Sequence, residues 1–282
     1  MTVPYAEVIG DPISHSKSPL IHKFWLEKLG MDRDYRPRLV SRKDLAAFVA
    51  DARHDRHWLG CNVTIPHKQA VIPLLARLSA EAATIGAVNI VRREGTALAG
   101  YNSDGQGFLG PLRPLLAQTH LFRMARIFGA GGAARAIAHA LAAQGFTLVI
   151  VTRDVAKAEA LLADVGGEHH AASLSHFAST TDFAFDDRQG LLDLVVNATP
   201  LGMVGQPPLP LDWSHVPPGS IVYDIVYSPL ETPLLAEARG RGHRAIDGLH
   251  MLIGQAAIAF ELFFGHPAPR QHDAELRALL TS

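Results

Sequence analysis

Arg126-Ile127-Phe128-Gly129-Ala130-Gly131-Gly132-Ala133-Ala134-Arg135 is the stretch that decides the fold. An apolar pair, Ile127-Phe128, meets a glycine turn. An alanine-rich helical pattern then runs to about Gln144, Gly145 stops it, and Thr147 to Val151 reads as a β-branched strand. Strand, glycine turn, helix, strand is the layout of a dinucleotide site. Gly129 permits the tight turn, Gly131 lets backbone approach a pyrophosphate, and Ala134 is small where the helix must pack on the strand. The helix start offers unpaired N–H groups and the positive end of a dipole to phosphates. Glycine and alanine also serve plain packing; the ordered strand, helix and second strand are what favour nucleotide binding.

Composition sets the frame. A chain of 282 residues can build two domains, and 48% apolar with 19% charged residues fits a globular protein. A formal charge of -1 gives no electrostatic footprint for nucleic acid, and no apolar run is long enough to span a bilayer. The single cysteine, Cys61, excludes an internal disulfide framework, and Met1 to Tyr5 lacks the pattern of a secretory signal. The expectation is a cytoplasmic protein, monomer or homodimer, that binds small molecules rather than nucleic acid or membrane.

Before the glycine turn the chain reads as an α/β unit. Tyr5 to Ile9 is a strand, and Ser18-Pro19 starts a helix with Ser18 as its hydroxyl N-cap. Ser16 and Ser18 therefore lie on a strand-to-helix loop, either as turn and cap or as ligand contacts. Tyr35 to Val40 is a second strand, with a helix after it to about Ala52. Gly60 to Ile65 is a third strand that Pro66 ends, with His67-Lys68 opening a helix towards Leu75. Asn62 and Thr64 share a face because strand side chains alternate, and they gather with Lys68 at the strand's carboxyl end, the ligand edge of α/β sheets. A first-turn lysine opposes the helix dipole, which argues for a use beyond solvation. Ala87 to Arg92 and Ala97 to Tyr101 form a hairpin; Asp104 follows, where it either caps a helix to about Leu116 or serves chemistry.

Residues 117 to 124 read as a linker, and 166 to 189 as polar and irregular. Strands are expected at 194–197, 221–224 and 244–246. Leu252 to Phe264 reads as an apolar helix in which Gln255 is either satisfied by backbone or met by a ligand. His54 and His57, like His169, His170 and His176, lack metal-ligand spacing, so no metal is expected.

Laid end to end, these blocks resemble the shikimate dehydrogenase family: S-H-S-K-S-P at 14–19, N-V-T-I-P-H-K at 62–68, G-A-V-N at 86–89, N-S-D-G at 102–105, G-A-G-G-A at 129–133, N-A-T-P-L-G-M at 197–203 and D-G-L-x-M-L at 247–252. The resemblance implies an N-terminal α/β substrate-binding domain, residues 1–103 completed by 247–282, and a Rossmann-like NADP-binding domain, residues 104–246, with the chemistry in a cleft between them. It implies Lys68 as acid/base residue with Asp104 as its partner. Ser16, Ser18, Asn62, Thr64, Asn89, Tyr227 and Gln255 are implied on shikimate. Gly129, Ala130, Gly131, Gly132, Ala133, Thr152, Arg153, Asp154, Lys157, Thr199, Ile225, Gly248 and Met251 are implied on the cofactor.

The implied activity is reversible, NADPH-dependent reduction of 3-dehydroshikimate to shikimate, a step towards chorismate and the aromatic amino acids. Its alternatives are a quinate or aminoshikimate dehydrogenase using NAD, or a catalytically silent nucleotide sensor. Two departures from the family pattern stand out. Thr152 and Asp154 replace Asn and Thr around the cations Arg153 and Lys157, and His250 replaces a glycine. The two cations suit a 2′-phosphate and place NADP ahead of NAD. Asp154 either starts the next helix or accepts from a free 2′-hydroxyl.

Overall fold

The computed structural model describes residues 3–185 and 189–281. Met1 and Thr2, part of the start read above for a signal, and 186–188, part of the stretch read as irregular, lie outside them. The chain divides into two units: one runs up to Gly107 and resumes at Ile253, the other is Phe108–Leu252.

The first unit carries β1 (Tyr5–Gly10), α1 (Ser18–Lys28), β2 (Asp34–Leu39), α2 (Leu45–His54), β3 (Trp58–Val63), β4 (Arg77–Leu78), α3 (Ala80–Ile85), β5 (Ile90–Glu94) and β6 (Ala97–Tyr101). The helix α4 (Asp104–Leu109) leads out of it. The sheet order is β2-β1-β3-β5-β6-β4. β1 pairs in parallel with β2 and β3, whereas β3–β5 and β5–β6 are antiparallel. That reversal has a consequence for the site. It brings the start of β5 and the end of β6 to the edge where β1 and β3 finish: Asn62 is opposite Ile90, and Ile90 is opposite Tyr101.

The second unit carries α5 (Arg113–Leu116), β7 (Phe122–Phe128), α6 (Gly132–Ala142), β8 (Thr147–Thr152), α7 (Val155–Val165), β9 (His170–Ser173), α8 (Leu174–Phe177), β10 (Leu191–Asn197), β11 (Ile221–Asp224), α9 (Pro233–Gly240) and β12 (Arg244–Ile246). α10 (Gly248–Phe264) begins here and ends in the first unit, which α11 (Asp273–Thr281) closes. Its sheet is parallel throughout, in the order β12-β11-β10-β7-β8-β9. Side-chain alternation buries both faces: Ile127, Ile150 and Val196 enter one core with α6, while Phe128, Val151 and Val195 enter the other with α9. The order is that of a doubly wound dinucleotide fold, whose direction reverses between β7 and β10.

Several local expectations need correction. Residues 67–71 are turns, followed by a single 3-10 turn at Ile72–Leu74, so Lys68 opens no helix and the dipole argument for it falls. Pro73 explains this: it lacks an N–H and disfavours helical backbone before it. The N-cap position of α1 is Lys17, and Ser18, its first residue, makes no capping bond; Ser16 Oγ instead accepts from Ser18 N at 3.3 Å. The helix expected through Leu116 is broken at Gly110-Pro111 into α4, a 3-10 turn and α5. The linker is shorter than expected, because β7 starts at Phe122. The stretch read as irregular contains β9 and α8. The two units part inside α4 and α10, a few residues beyond the expected boundaries, which leaves Asp104 in the first unit.

Candidate functional site

In the first unit, a connected polar cluster forms where β1, β3 and β6 end and β5 begins. Lys68 Nζ donates to Asp104 Oδ2, a pair whose side chains are only 14% and 5% exposed. Asp104 does not cap α4. Its Oδ1 accepts from Asn89 Nδ2 at 2.9 Å, and its own N–H is taken by Asn102 Oδ1 at 3.0 Å. Asn89 also gives Nδ2 to Ser103 Oγ (3.0 Å) and reaches Gln255 Oε1 (3.4 Å), while its Oδ1 accepts from Ser103 N (2.9 Å). Asn62 Nδ2 donates to the Asn89 carbonyl at 3.3 Å. Lys68, Asp104, Asn89, Gln255 and Asn62 are thus joined by direct hydrogen bonds, and apart from Lys68 all are buried.

The neighbouring turns are held by backbone. Val88 N donates to Lys68 O at 2.7 Å, Thr64 N to Ile9 O at 3.0 Å, and His67 N to Thr64 O at 2.9 Å. His67 Nε2 lies 2.7 Å from the carbonyl of Val40, which can only accept, so Nε2 carries the proton. Thr64 follows β3 and packs on Gly10, where a Cβ would come within 2.5 Å of Thr64 Cγ2. Ser16 and Ser18 follow β1, the parallel neighbour of β3, so they emerge at the same sheet edge as Thr64. No side-chain hydrogen bond joins either serine to the Lys68 cluster among the described residues.

In the second unit the glycine turn lies between β7 and α6. Gly129 has φ +115°, and a Cβ there would come within 2.9 Å of the Ala198 carbonyl. At Gly131 a Cβ would meet no protein atom within 4 Å, and no side chain caps α6. An approachable backbone beside uncapped first-turn N–H groups fits a pyrophosphate. Thr152 ends β8, Arg153 and Asp154 follow it, and Lys157 lies in the first turn of α7. Asp154 is the N-cap residue of α7 but makes no side-chain capping bond; it lies 3.4 Å from Lys157 Nζ instead.

Beside the switch point, Thr199 is tied to Asn197 through its N–H (3.0 Å) and its hydroxyl (2.7 Å). Gly248 packs so tightly on the Ile225 and Val226 carbonyls that a Cβ would overlap them, and Met251 is buried. Ile225 and Tyr227 occupy the loop after β11, half-buried. His250 points to Asp247 Oδ1 at 3.4 Å.

Sequence reasoning passed over Tyr35, whose hydroxyl donates to Asn62 Oδ1 at 2.7 Å, and the Asn102–Ser103 pair, which bonds Asp104 through Asn102 and Asn89 through Ser103. The N-S-D-G block was the available signal for the pair. Nothing in the sequence around Tyr35 links it to Asn62, because the contact depends on folding. Asp224 was likewise read only as the end of a strand.

The parallel sheet, its glycine turn and the open helix start define a dinucleotide-binding α/β protein. Residues 8–91 match the shikimate dehydrogenase substrate binding domain, and 248–275 match the shikimate 5'-dehydrogenase C-terminal domain. The shikimate dehydrogenase (NADP(+)) of Sphingopyxis alaskensis is 50% identical over 281 residues, 99% of this chain and 97% of that protein. Shikimate 5-dehydrogenase from Thermus thermophilus, solved with NADP(H) and shikimate, superposes with TM-score 0.83 at 33% identity, covering 99% of this chain and 100% of the other. The ligand-free 5-ketofructose reductase of Gluconobacter sp. strain CHM43 superposes with TM-score 0.80 at 30% identity, with 99% of each chain covered. The chain belongs to the shikimate dehydrogenase family.

Proposed function

We propose that this chain catalyses the reversible reduction of 3-dehydroshikimate to shikimate with NADPH. The observation that carries the reading is the lysine ammonium held on a buried carboxylate, inside an amide- and hydroxyl-rich cluster, in a chain of this family. The unit ending at Gly107 and resuming at Ile253 holds the polyhydroxylated ring; Phe108–Leu252 holds the cofactor.

NADPH, when bound, supplies a hydride to the ketone carbon. The carbonyl oxygen then gains negative charge, and Lys68 Nζ stabilises that charge and delivers the proton the oxygen needs. In the oxidative direction the Lys68 amine takes the proton from the hydroxyl. Asp104 fixes the position of Nζ, and Asn89 in turn fixes Asp104. Asn62, Asn89 and Gln255 offer both donors and acceptors to ring hydroxyls, while Ser16, Ser18, Thr64 and Tyr227 supply hydroxyls suited to a carboxylate. Gly129 to Ala133 receive the pyrophosphate, Arg153 and Lys157 the 2′-phosphate, and Thr152, Asp154, Thr199, Ile225, Gly248 and Met251 line the remainder.

The absorbance of reduced nicotinamide, followed with shikimate and quinate and with each cofactor, tests the reading. Turnover with shikimate and NADP above the other combinations is expected. A preference for quinate, or tight NADPH binding without turnover, would replace it.

A further inference from the structure

Asp224 ends β11, is fully buried, and has no role in the chemistry above. Its carboxylate joins three parts of the second unit. Oδ1 accepts from Asn197 Nδ2 and from Val226 N, each at 3.0 Å, and Oδ2 accepts from Thr232 Oγ1 at 2.7 Å. Asn197 relays the hold: its Nδ2 also reaches Leu201 O (2.9 Å), and its Oδ1 takes both the N–H and the hydroxyl of Thr199. The loops after β10 and β11 are further stitched by Ile225 N to Asn197 O and by Val204 N to Ser228 O, both 3.1 Å.

We infer that Asp224 is a positioning residue: through Asn197 and Val226 it sets the shape of the Thr199 loop and the Ile225–Tyr227 loop together, so neither loop keeps its ligand-ready form without it. Burial pushes the carboxyl up to about 6, against the opposing pull of its donors from Thr232, Val226 and Asn197. What the two loops bind rests on the function proposed above; that they share one anchor does not.

The test compares amide hydrogen exchange at Thr199 and Val226 in three variants, together with NADPH affinity from its fluorescence. In Asp224→Ala, exchange at both amides is expected to rise about tenfold or more, with weaker NADPH binding. In Thr232→Val, which removes the bond to Oδ2 and the cap that Thr232 Oγ1 gives the Leu235 N–H but leaves Oδ1 and its donors in place, thermal stability falls while both amides and NADPH affinity stay within about twofold of the parent. In Asn197→Ala, Thr199 opens and Val226 stays protected; this variant decides the matter if Asp224→Ala does not fold. Protection retained at Thr199 in either Asp224→Ala or Asn197→Ala, or loosening in Thr232→Val as large as in Asp224→Ala, would overturn the inference. A parent protein that fails to bind NADPH would count against the proposed function, while the exchange comparison would still stand.

Discussion

Replacing Lys68 by methionine keeps the length of the side chain and removes its charge and its proton. Two effects follow and can be separated. The first is on chemistry. A positioned acid/base group contributes about 10²–10⁴-fold, so kcat should fall by that factor, equivalent to about 3–5 kcal/mol of barrier. The second is on stability. Lys68 and Asp104 are 14% and 5% exposed, so the variant leaves a mostly buried carboxylate without its cation. Breaking a buried pair from one side costs about 3–5 kcal/mol; the water that reaches Lys68 and the bond Asp104 keeps from Asn89 place this case near the lower figure. The melting temperature therefore drops, and kinetics must be run well below it. NADPH affinity should stay within about twofold, since Lys68 and the glycine turn belong to different units. Asp104→Asn should also lose turnover, because its amide keeps one acceptor and must turn its donor on either the Lys68 ammonium or Asn89 Nδ2. A folded Lys68→Met protein with kcat within tenfold of the parent would refute the assignment.

Three further outcomes follow from the geometry. Asp154→Thr removes a carboxylate that neutralises Lys157, so the kcat/KM ratio of NADP to NAD should rise about threefold to fivefold at low salt, the modest figure reflecting exposed groups. Gly129→Ala places a β-carbon in left-handed backbone and against the Ala198 carbonyl, so calorimetry should show a loss of about 1–3 kcal/mol and titration a weaker NADPH complex. His22 is fully buried, stacked 3.9 Å from Tyr35, with neither ring nitrogen hydrogen-bonded, and burial pushes its pKa down to about 3. The unfolded chain therefore binds a proton that the native state refuses, and stability must rise with pH between about 3 and 6.5. At pH 5 this one group costs about 2 kcal/mol; denaturation of His22→Phe at pH 5 and pH 7.5 should show that share of the pH dependence gone.

The second unit was largely legible from its sequence because its signals are local. A glycine turn between β-branched runs can be read residue by residue, and alternate burial of Ile127 and Phe128 follows from strand geometry. β9 escaped because His170-Ala171-Ala172-Ser173 is short, at the sheet edge and nearly devoid of large apolar side chains. In the first unit the candidate residues were found through family blocks more than through local pattern. Their meeting depends on antiparallel β5, which places Asn89 just before its start at the edge where β3 finishes beside Asn62, and no spacing rule encodes that. The dipole reading of Lys68 failed at Pro73, a residue visible in the sequence that interrupts the helix expected from His67-Lys68 towards Leu75. Tyr35 meets Asn62, and Asp224 meets Asn197, across 27 residues of chain, which pattern reading does not reach.

One contact decides the proposed chemistry. A crystal structure of the chain with shikimate and NADP should place Lys68 Nζ at hydrogen-bond distance, about 3 Å, from the ring oxygen that gains or loses hydrogen, with Asp104 still on the other side of the ammonium. Shikimate bound with that oxygen on another donor, and Lys68 turned away from the ring, would contradict it.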